Sequence, residues 1–384
     1  MPSVYRKNTG CIRPKKDGCS NIQEAERIKM RILHTSDLHI DAPLTARLSA
    51  EKVRERRAEL IASFSSMIEE AQLLGVSLFI ISGDLFDTER NTKRTCERIL
   101  NLIERAEGLE FLYLPGNHEK LSLQNSGLPV PRNLKIFGEG WTYFNYDFLT
   151  IAGRSSTGAS MFSELSLDPS RINITVLHGG IESRSSEGVI GLSDAANRGI
   201  DYMALGHYHS YSARKIDDRG IAVYCGTPEG RGFDEVGEKG FVLIDTDGRR
   251  LTHRFTPFCQ RKLIIKEVDL SECTRRLDIE EAVGEAIAEV RRQDLLRVVL
   301  KGSRAPELYA DLEAIKLRYG GGFYHFEIKD ESRSRIDPED YKYDKSLKGE
   351  FIRLVFSKAD ISDEDKELMI RCGLSALMGE STEL

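Results

Sequence analysis

The chain has 384 residues, of which 40% are hydrophobic and 30% charged, and its net charge is −6. A chain of this length can bury a full core and is expected to hold more than one domain, while the acidic balance argues against a broadly basic nucleic-acid-binding surface. Seven widely spaced cysteines without a C-x-x-C pair predict reduced thiols and a cytoplasmic location. No apolar run approaches the roughly 20 residues that a membrane-spanning helix needs.

The N-terminal segment lacks the apolar core of a secretory signal and shows neither a helix nor a strand pattern. We therefore expect a disordered lead-in over residues 1–29. The folded chain is expected to start at Met30, which could itself be the initiator.

Strand and helix patterns alternate over the next part of the chain. Strands are predicted at residues 31–34, 76–82 and 111–114, and amphipathic helices at residues 51–74 and 93–107. This alternation is typical of an α/β fold, so we expect these strands to pair in parallel.

The pattern then changes to a predicted hairpin at residues 142–152 and a series of short strands. Those strands are predicted at residues 172–177, 202–205, 222–225, 241–245 and 251–255. We expect a second, largely antiparallel sheet that packs face to face with the first, with helices outside.

A domain boundary is predicted near residues 257–262. A β-α-β-α-β pattern follows, with strands at 263–268, 295–300 and 323–328 and helices at 279–291 and 306–317. Residues 333–344 are charged and resemble a linker, and two helices are expected near 348–357 and 363–377.

Five short motifs stand out because each supplies oxygen or nitrogen groups that could hold a metal, and together they contain five of the eight histidines. In chain order they are SDLH (residues 36–39), GDLFD (83–87), GNHE (116–119), LHGG (177–180) and GHYH (206–209). Most of them follow a predicted strand directly. Side chains at the ends of neighbouring strands can meet, so the set predicts one metal centre.

The spacing within two motifs suggests how the ligands converge. Asp37 and His39 are two residues apart, so in an extended segment both side chains would point the same way, and the same holds for His207 and His209. Asp84 follows a buried-type strand, and its two carboxylate oxygens could bridge two cations.

The remaining donors complete the predicted site. Asn117 offers an amide oxygen and His178 a ring nitrogen, and mixed ligands of this kind suit Mn²⁺, Fe²⁺ or Zn²⁺. Seven candidate ligands around a shared Asp84 would serve two ions about 3.5–4 Å apart. His118, next to Asn117, should point elsewhere and is the candidate to protonate the leaving oxygen.

Three other residues have plainer interpretations. His34 lies inside the first strand and is interpreted as structural. Tyr208, between two candidate ligands, could serve packing or substrate stacking. Arg231 lies in a glycine-rich loop, GTPEGRG (residues 226–232), within reach of an anion, although the loop lacks the G-K-[ST] ending of a P-loop.

The ordered motif set resembles the calcineurin-like metallophosphoesterases, and the phrases ILHTSDLHID and ALGHYH resemble the SbcD-type DNA repair exonucleases, in particular a YhaO-like branch. The resemblance implies an α/β fold, a four-layer metallophosphoesterase β-sandwich flanked by helices, with a small α+β C-terminal cap domain. It places the catalytic domain at residues 30–257, the capping domain at 258–332, and a charged linker with C-terminal helices at 333–384.

The resemblance also implies roles for the motif residues. The first metal would be held by Asp37, His39, Asp84 and His209, and the second by Asp84, Asn117, His178 and His207. His118 would be the catalytic residue. The implied metal is Mn²⁺, and the implied reaction is hydroxide attack on a DNA phosphodiester. The implied partners are DNA and an SbcC-like coiled-coil ATPase, with a homodimer as a further possibility.

Two other functions compete with a DNA exo/endonuclease. A small-molecule phosphodiesterase or phosphoprotein phosphatase could use the same dinuclear site, and a narrow, capped pocket would favour it over an open groove. An ATPase-binding scaffold without turnover is the third alternative, and the complete ligand set argues against it.

Overall fold

The computed structural model describes residues 29–44, 46–87, 92–116, 119, 122–158, 160–182, 184, 186, 188–305, 308–334 and 338–378. The chain divides into two compact units. The first unit comprises residues 1–231 and 238–260, and the second comprises residues 232–237 and 261–384. Except for Lys29, the predicted lead-in lies outside the described residues.

The first unit is built from two sheets and a few helices. Its described strands are β1 (Met30–Thr35), β2 (Leu78–Ser82), β3 (Glu110–Leu114), β4 (Leu134–Ile136), β5 (Thr142–Asn145), β6 (Leu149–Gly153), β7 (Ile172–His178), β8 (Gly180–Glu182), β9 (Val189–Gly191), β10 (Tyr202–Gly206), β11 (Ser212–Lys215), β12 (Ile221–Tyr224), β13 (Gly240–Thr246) and β14 (Leu251–Pro257). Its described α-helices are α1 (Ala50–Leu73), α2 (Lys93–Arg105) and α3 (Leu192–Ala195).

The first sheet has the strand order β14-β13-β1-β2-β3-β4. Strands β1 to β4 pair in parallel, which confirms the prediction for the N-terminal strands, and β13 pairs antiparallel with β1. Helix α1 begins after Ser49, whose side chain accepts a hydrogen bond from the backbone N–H of Lys52.

The second sheet has the order β11-β12-β10-β7-β6-β5, and the prediction that it is largely antiparallel is wrong. Its four central strands pair in parallel, and only the edge strands β11 and β5 are antiparallel to their neighbours. Strands β7 and β10 are buried throughout, as is typical of parallel strands covered on both faces. Strands β13 and β14, expected in this sheet, belong to the first.

The two sheets face each other across an apolar core. Ile80 and Leu112 of the first sheet are in the same buried cluster as Ile174 and Val176 of the second. Helices α1 and α2 cover the outer face of the first sheet, and a further cluster that includes Met203 covers the outer face of the second. The α/β fold with a sandwich flanked by helices is therefore confirmed.

His34 lies in the core of the first unit and is fully buried. Its Nδ1 is 2.9 Å from the hydroxyl of Tyr202 and its Nε2 is 2.9 Å from Oγ of Ser82, so the ring joins β1 to β10 and to β2. The interpretation of His34 as structural is confirmed. Burial lowers the pKa of His34 from 6.5 to about 3, because the charged ring would lose its hydration.

The second unit contains a parallel sheet with the order β15-β16-β18, in which β15 is Leu263–Asp269, β16 is Leu295–Lys301 and β18 is His325–Asp330. The short strands β17 (Ser303–Arg304) and β19 (Arg333–Ser334) pair separately. Its described α-helices are α4 (Arg276–Ile287), α5 (Leu312–Tyr319), α6 (Leu347–Phe356) and α7 (Asp363–Met378).

The predicted order of elements in this unit is confirmed, but several boundaries differ: the helix predicted at 279–291 is α4 (Arg276–Ile287), and the strand predicted at 323–328 is β18 (His325–Asp330). Helix α5 begins only after Asp311, because the side chain of Asp311 caps the backbone N–H of Ala314. Helices α6 and α7 have a small apolar core of their own. The capping role of this unit stays a prediction. None of the helices among the described residues is both long and apolar enough to cross a bilayer.

The buried ring of His34 predicts a pH-dependent contribution to stability. Between pH 6.5 and about pH 3 the unfolded chain binds a proton at His34 that the folded chain does not, so stability falls as the pH falls. We expect His34→Gln to lower the free energy of unfolding by about 1–3 kcal/mol at pH 7.5, through its lost hydrogen bonds. The difference in the free energy of unfolding between wild type and His34→Gln should decrease by roughly 1.4 kcal/mol from pH 7.5 to pH 5.5. Urea unfolding in the presence of EDTA measures both values. A difference in unfolding free energy that does not change with pH would contradict the claim that the buried ring of His34 is neutral.

Candidate metal centre

The predicted motifs lie where the central parallel strands of the two sheets end. Strand β1 leads into residues 36–39 and β2 leads into residues 83–87. In the second sheet β7 ends at His178 and β10 ends at Gly206. Within each sheet, parallel strands end on the same edge, so their loops lie together. The loops of the two sheets also meet, because the backbone N–H of His207 donates to Asp37 at 3.0 Å.

The SDLH and GDLFD loops run side by side and continue the pairing of β1 with β2. The backbone N–H of Asp37 donates to the carbonyl of Gly83 at 3.1 Å, and that of His39 donates to the carbonyl of Asp84 at 3.0 Å. The next rung joins Ile40 to Leu85 at 3.0 Å. This ladder fixes the spacing between Asp37, His39 and Asp84.

The backbone at four of the candidate ligands is left-handed rather than extended. The φ angle is 53° at Asp37, 45° at His39, 49° at Asp84 and 115° at His207. The predicted convergence of Asp37 and His39 is observed, but the reason given for it, an extended segment, is wrong. Left-handed backbone is unfavourable for residues with a Cβ and is often found at functional sites.

One group of donors consists of Asp37, His39 and His209. The Nε2 atoms of His39 and His209 are 3.2 Å apart, and each is 3.9 Å from Oδ1 of Asp37. A carboxylate with two imidazole nitrogens is a donor set that divalent transition metals favour.

A second group consists of Asp37, Asp84 and His178. Oδ2 of Asp84 is 3.3 Å from Nε2 of His178 and 3.9 Å from Nε2 of His39. One oxygen of Asp84 therefore lies between the histidines of the two groups. In each group the donor atoms lie within 4.8 Å of one another.

His178 is oriented for binding through Nε2. Its Nδ1 lies 2.9 Å from the carbonyl oxygen of Ser82, so Nδ1–H donates there and Nε2 faces Asp84. A hydrogen bond of this kind commonly fixes the tautomer of a metal-binding histidine. Burial alone would lower the pKa of His178, but the nearby Asp84 and Asp37 carboxylates outweigh burial and raise it to about 9. A cation would replace that proton on the same nitrogen.

Two glycines leave the room that these donors occupy. A Cβ at Gly116 would lie 2.1 Å from Oδ1 of Asp84, and one at Gly83 would lie 2.2 Å from Nδ1 of His178. Any other residue at either position would displace a candidate ligand. The mixed donors and the close approach of the backbone fit a pair of divalent cations.

Asp37 is fully buried, and several groups support its carboxylate. Ser36 Oγ donates to Oδ2 at 2.5 Å, and the backbone N–H of His207 donates to both oxygens, at 3.0 and 3.1 Å. Burial nevertheless raises the pKa of Asp37, and the neighbouring charge of Asp84 adds to the rise. The hydroxyl of Thr227 donates to the backbone carbonyl of Asp37 at 2.8 Å and holds the loop from the other side.

Sequence reasoning gave no role to Glu119, although it is part of the GNHE motif. The Glu119 carboxyl is buried and accepts the backbone N–H of Leu85 at 2.7 Å, and the hydroxyl of Tyr113 donates to its other oxygen. Burial raises the pKa of Glu119 to about 8, with Asp84 adding to the rise. Glu119 thus holds the loop that presents Asp84, a role that only the fold reveals.

The other predicted site residues fall into two groups. His207 is described, and its ring lies beside that of His178, with centroids 5.8 Å apart. His209 belongs to the first donor group, whereas His207 belongs to neither, so the assignment of His207 to the second ion stays a prediction. Asn117 and His118 lie outside the described residues, and their assignments stay predictions.

The sequence of the first unit matches a known protein family. Residues 30–236 match the family described as calcineurin-like phosphoesterases. The chain belongs to this family. A calcineurin-like phosphoesterase is a metal-dependent enzyme that hydrolyses phosphoester bonds, and the family carries a dinuclear metal site, for which the clustered aspartates and histidines are the candidate ligands here.

Individual relatives of this phosphoesterase are distant. The chain is similar to the uncharacterized metallophosphoesterase YhaO of Bacillus subtilis, with 24% identity over 72% of this chain and 73% of YhaO. It is also similar to the DNA double-strand break repair protein Mre11 of Saccharolobus solfataricus, with 23% identity over 89% of this chain and 94% of the relative. A solved structure, TT1561 of Thermus thermophilus, matches 59% of this chain and 98% of its own, with 13% identity and a TM-score of 0.41.

The close approach of Gly116 to Asp84 predicts that a side chain at position 116 weakens metal binding. In Gly116→Ala the added methyl group would overlap Oδ1 of Asp84, so we expect Mn²⁺ affinity to fall by at least about tenfold. Gly140→Ala is the matched control, because a Cβ at Gly140 meets no atom within 4 Å. Elemental analysis and Mn²⁺ titration measure the effect, and wild-type affinity in Gly116→Ala would contradict the role of Asp84.

Proposed function

We propose that this calcineurin-like phosphoesterase is a two-metal phosphodiesterase that acts on DNA in repair. In this proposal the first ion is held by Asp37, His39, Asp84 and His209, and the second by Asp84, Asn117, His178 and His207. The proposed metal is Mn²⁺, with Fe²⁺ or Zn²⁺ as substitutes, since all three accept mixed oxygen and nitrogen donors.

The observation that carries the proposal is the position of Asp84. One of its carboxylate oxygens lies 3.3 Å from His178 and 3.9 Å from His39, which belong to different donor groups. A carboxylate so placed can be shared by two ions. Bound divalent cations supply Lewis acidity toward the phosphate and lower the pKa of water.

The protein groups supply the rest of the proposed chemistry. The buried carboxylates of Asp37 and Asp84 would hold the cations in fixed positions. His118 donates a proton to the leaving oxygen. Ser36 and the backbone of His207 keep the Asp37 carboxylate in one orientation, so the ligands need not rearrange during turnover.

Two observations support DNA as the substrate. Several relatives that align over most of the chain are named as DNA double-strand break repair proteins. In addition, Tyr208 packs beside His207 and Tyr224, with ring centroids 5.0 and 4.8 Å apart, and is 48% exposed, so part of its surface is open to a base. A place in the SbcD-type branch, an SbcC-like ATPase partner and a homodimer belong to the same proposal.

The proposal predicts cleavage that depends on both the metal and Asp84. With Mn²⁺ we expect the wild-type chain to release nucleotides from linear DNA, and we expect EDTA to abolish the release. In Asp84→Asn both ions should be lost together, and cleavage with them. Asp147→Asn, an exposed change in the turn between β5 and β6, is the control.

Parallel assays separate the competing substrates. A chromogenic phosphodiester and a phosphopeptide are incubated under the same conditions as the DNA. Rapid hydrolysis of either one with intact DNA would replace the nuclease assignment by a small-molecule phosphodiesterase or a phosphoprotein phosphatase. An Asp84→Asn chain that keeps two ions per molecule would refute the shared ligand.

The role proposed for His118 predicts a different signature. His118→Ala should keep both ions, because His118 is not among the proposed ligands, and should lose about 10²- to 10⁴-fold in turnover. Metal content by elemental analysis and kcat on DNA measure the two effects. A variant as active as the parent would refute the assignment, and so would a variant that loses its metal.

A further inference from the structure

The loop after strand β12, residues 226–231, is unusually buried for a connection between strands. Thr227 and Glu229 are each only 2% exposed, and Gly230 is buried as well. The loop ends at Arg231, whose role the proposed function leaves open. Its surroundings determine where the Arg231 guanidinium lies.

Helix α1 holds this loop through the Glu229 carboxylate. Oε1 of Glu229 accepts Ser63 Oγ at 2.7 Å and the backbone N–H of Gln260 at 2.6 Å, and Oε2 accepts Nη2 of Arg56 at 3.3 Å. Arg56 is 1% exposed and also donates to the carbonyl of Gly230 at 3.0 Å. A buried ion pair with this many hydrogen bonds fixes the backbone on which Arg231 is carried.

The side chain of Arg231 reaches one of the candidate ligands. Its Nη2 is 3.2 Å from Nδ1 of His209, and the other ring nitrogen of His209, Nε2, is 3.2 Å from Nε2 of His39. The guanidinium therefore contacts the first donor group at His209, one imidazole ring away from the donor nitrogen Nε2. Lys239 donates to the backbone carbonyl of His209 at 2.9 Å, which fixes the backbone at His209 independently of Arg231.

We propose that Arg231 is a further substrate-binding residue, whose guanidinium contacts a non-bridging oxygen of the phosphodiester at the metal centre. The proposal rests on the proposed function, because it assumes that a phosphate group occupies this site. Arginine suits the task, since its planar fork stays charged at any working pH and can donate two hydrogen bonds to one phosphate.

The hydrogen bond between Arg231 and His209 depends on which ring nitrogen of His209 carries the proton. Nδ1 of His209 can accept a hydrogen bond from Arg231 only while Nε2 carries the ring proton. A cation on Nε2 requires the proton on Nδ1, which then donates and no longer accepts. Metal binding and this particular hydrogen bond therefore exclude each other, and metal binding turns the guanidinium toward another acceptor.

The effect of Arg231 on Mn²⁺ affinity distinguishes a substrate-binding role from a purely structural one. If Arg231 only oriented His209, its loss would weaken binding of the ion. In our proposal Arg231 competes with the metal and repels it, so its loss should strengthen Mn²⁺ binding by about fivefold, the value of one hydrogen bond.

The test uses the full chain with Arg231→Met, which keeps the length of the side chain, and Arg231→Lys, which keeps its charge. Arg249→Met is the control, since Arg249 lies in the turn between β13 and β14, at the opposite end of the first sheet from the metal centre. Mn²⁺ affinity is measured by competition with a chelator. The affinity of the Mn²⁺-loaded protein for inorganic phosphate is measured by calorimetry, and KM and kcat are measured on DNA.

We expect Arg231→Met to bind Mn²⁺ about fivefold more tightly than wild type and to bind phosphate about 10- to 100-fold more weakly, the loss typical of a charged hydrogen bond. Arg231→Lys should be intermediate, and Arg249→Met should match wild type. Unchanged phosphate affinity in Arg231→Met would overturn the proposal, and so would a fall in Mn²⁺ affinity. If wild type binds phosphate through Arg231 but cleaves no DNA, the proposed function fails while Arg231 keeps its role.

Discussion

The candidate metal centre depends on two carboxylates that are buried close to one another. Asp37 is 0% exposed and Asp84 is 8% exposed, and burial of like charges without compensation is strongly unfavourable. The chain offsets part of this cost with the Ser36 hydroxyl, the His207 backbone N–H and the proton on His178. Divalent cations would offset the remainder, so the affinity of the centre for metal follows from the way the two sheets bury these side chains.

The positions of the candidate ligands could be predicted from the sequence because polar motifs interrupt apolar runs, and each such interruption marks the end of a buried strand. His39, Asp84, His178 and His209 meet for that reason. The backbone at these residues could not be predicted, since left-handed φ angles at Asp37, His39 and Asp84 come from the ladder between two loops distant in sequence. Glu119 was missed for the same reason, because one of its partners is the backbone N–H of Leu85 in another loop.

The second sheet shows where local pattern misleads. The hairpin predicted at residues 142–152 is the antiparallel pair β5–β6. The short strands that follow, separated by turn residues, suggested a largely antiparallel sheet, yet β6, β7, β10 and β12 pair in parallel. The apolar run of β7 is buried throughout, which was a signal for a strand covered on both faces. Strand β13 pairs with β1 in the first sheet, and this long-range pairing could not be predicted from residue spacing.

The left-handed backbone of the ligand loops has a kinetic consequence. Each such residue costs of order 1–3 kcal/mol, and the packing of the sandwich meets that cost when the chain folds. Because the donor atoms are already gathered within 4.8 Å, ion capture needs little ordering of the loops. Loading should therefore be limited by how fast a hydrated ion sheds its water, and metals with slow water exchange should enter the centre slowly even where they bind tightly.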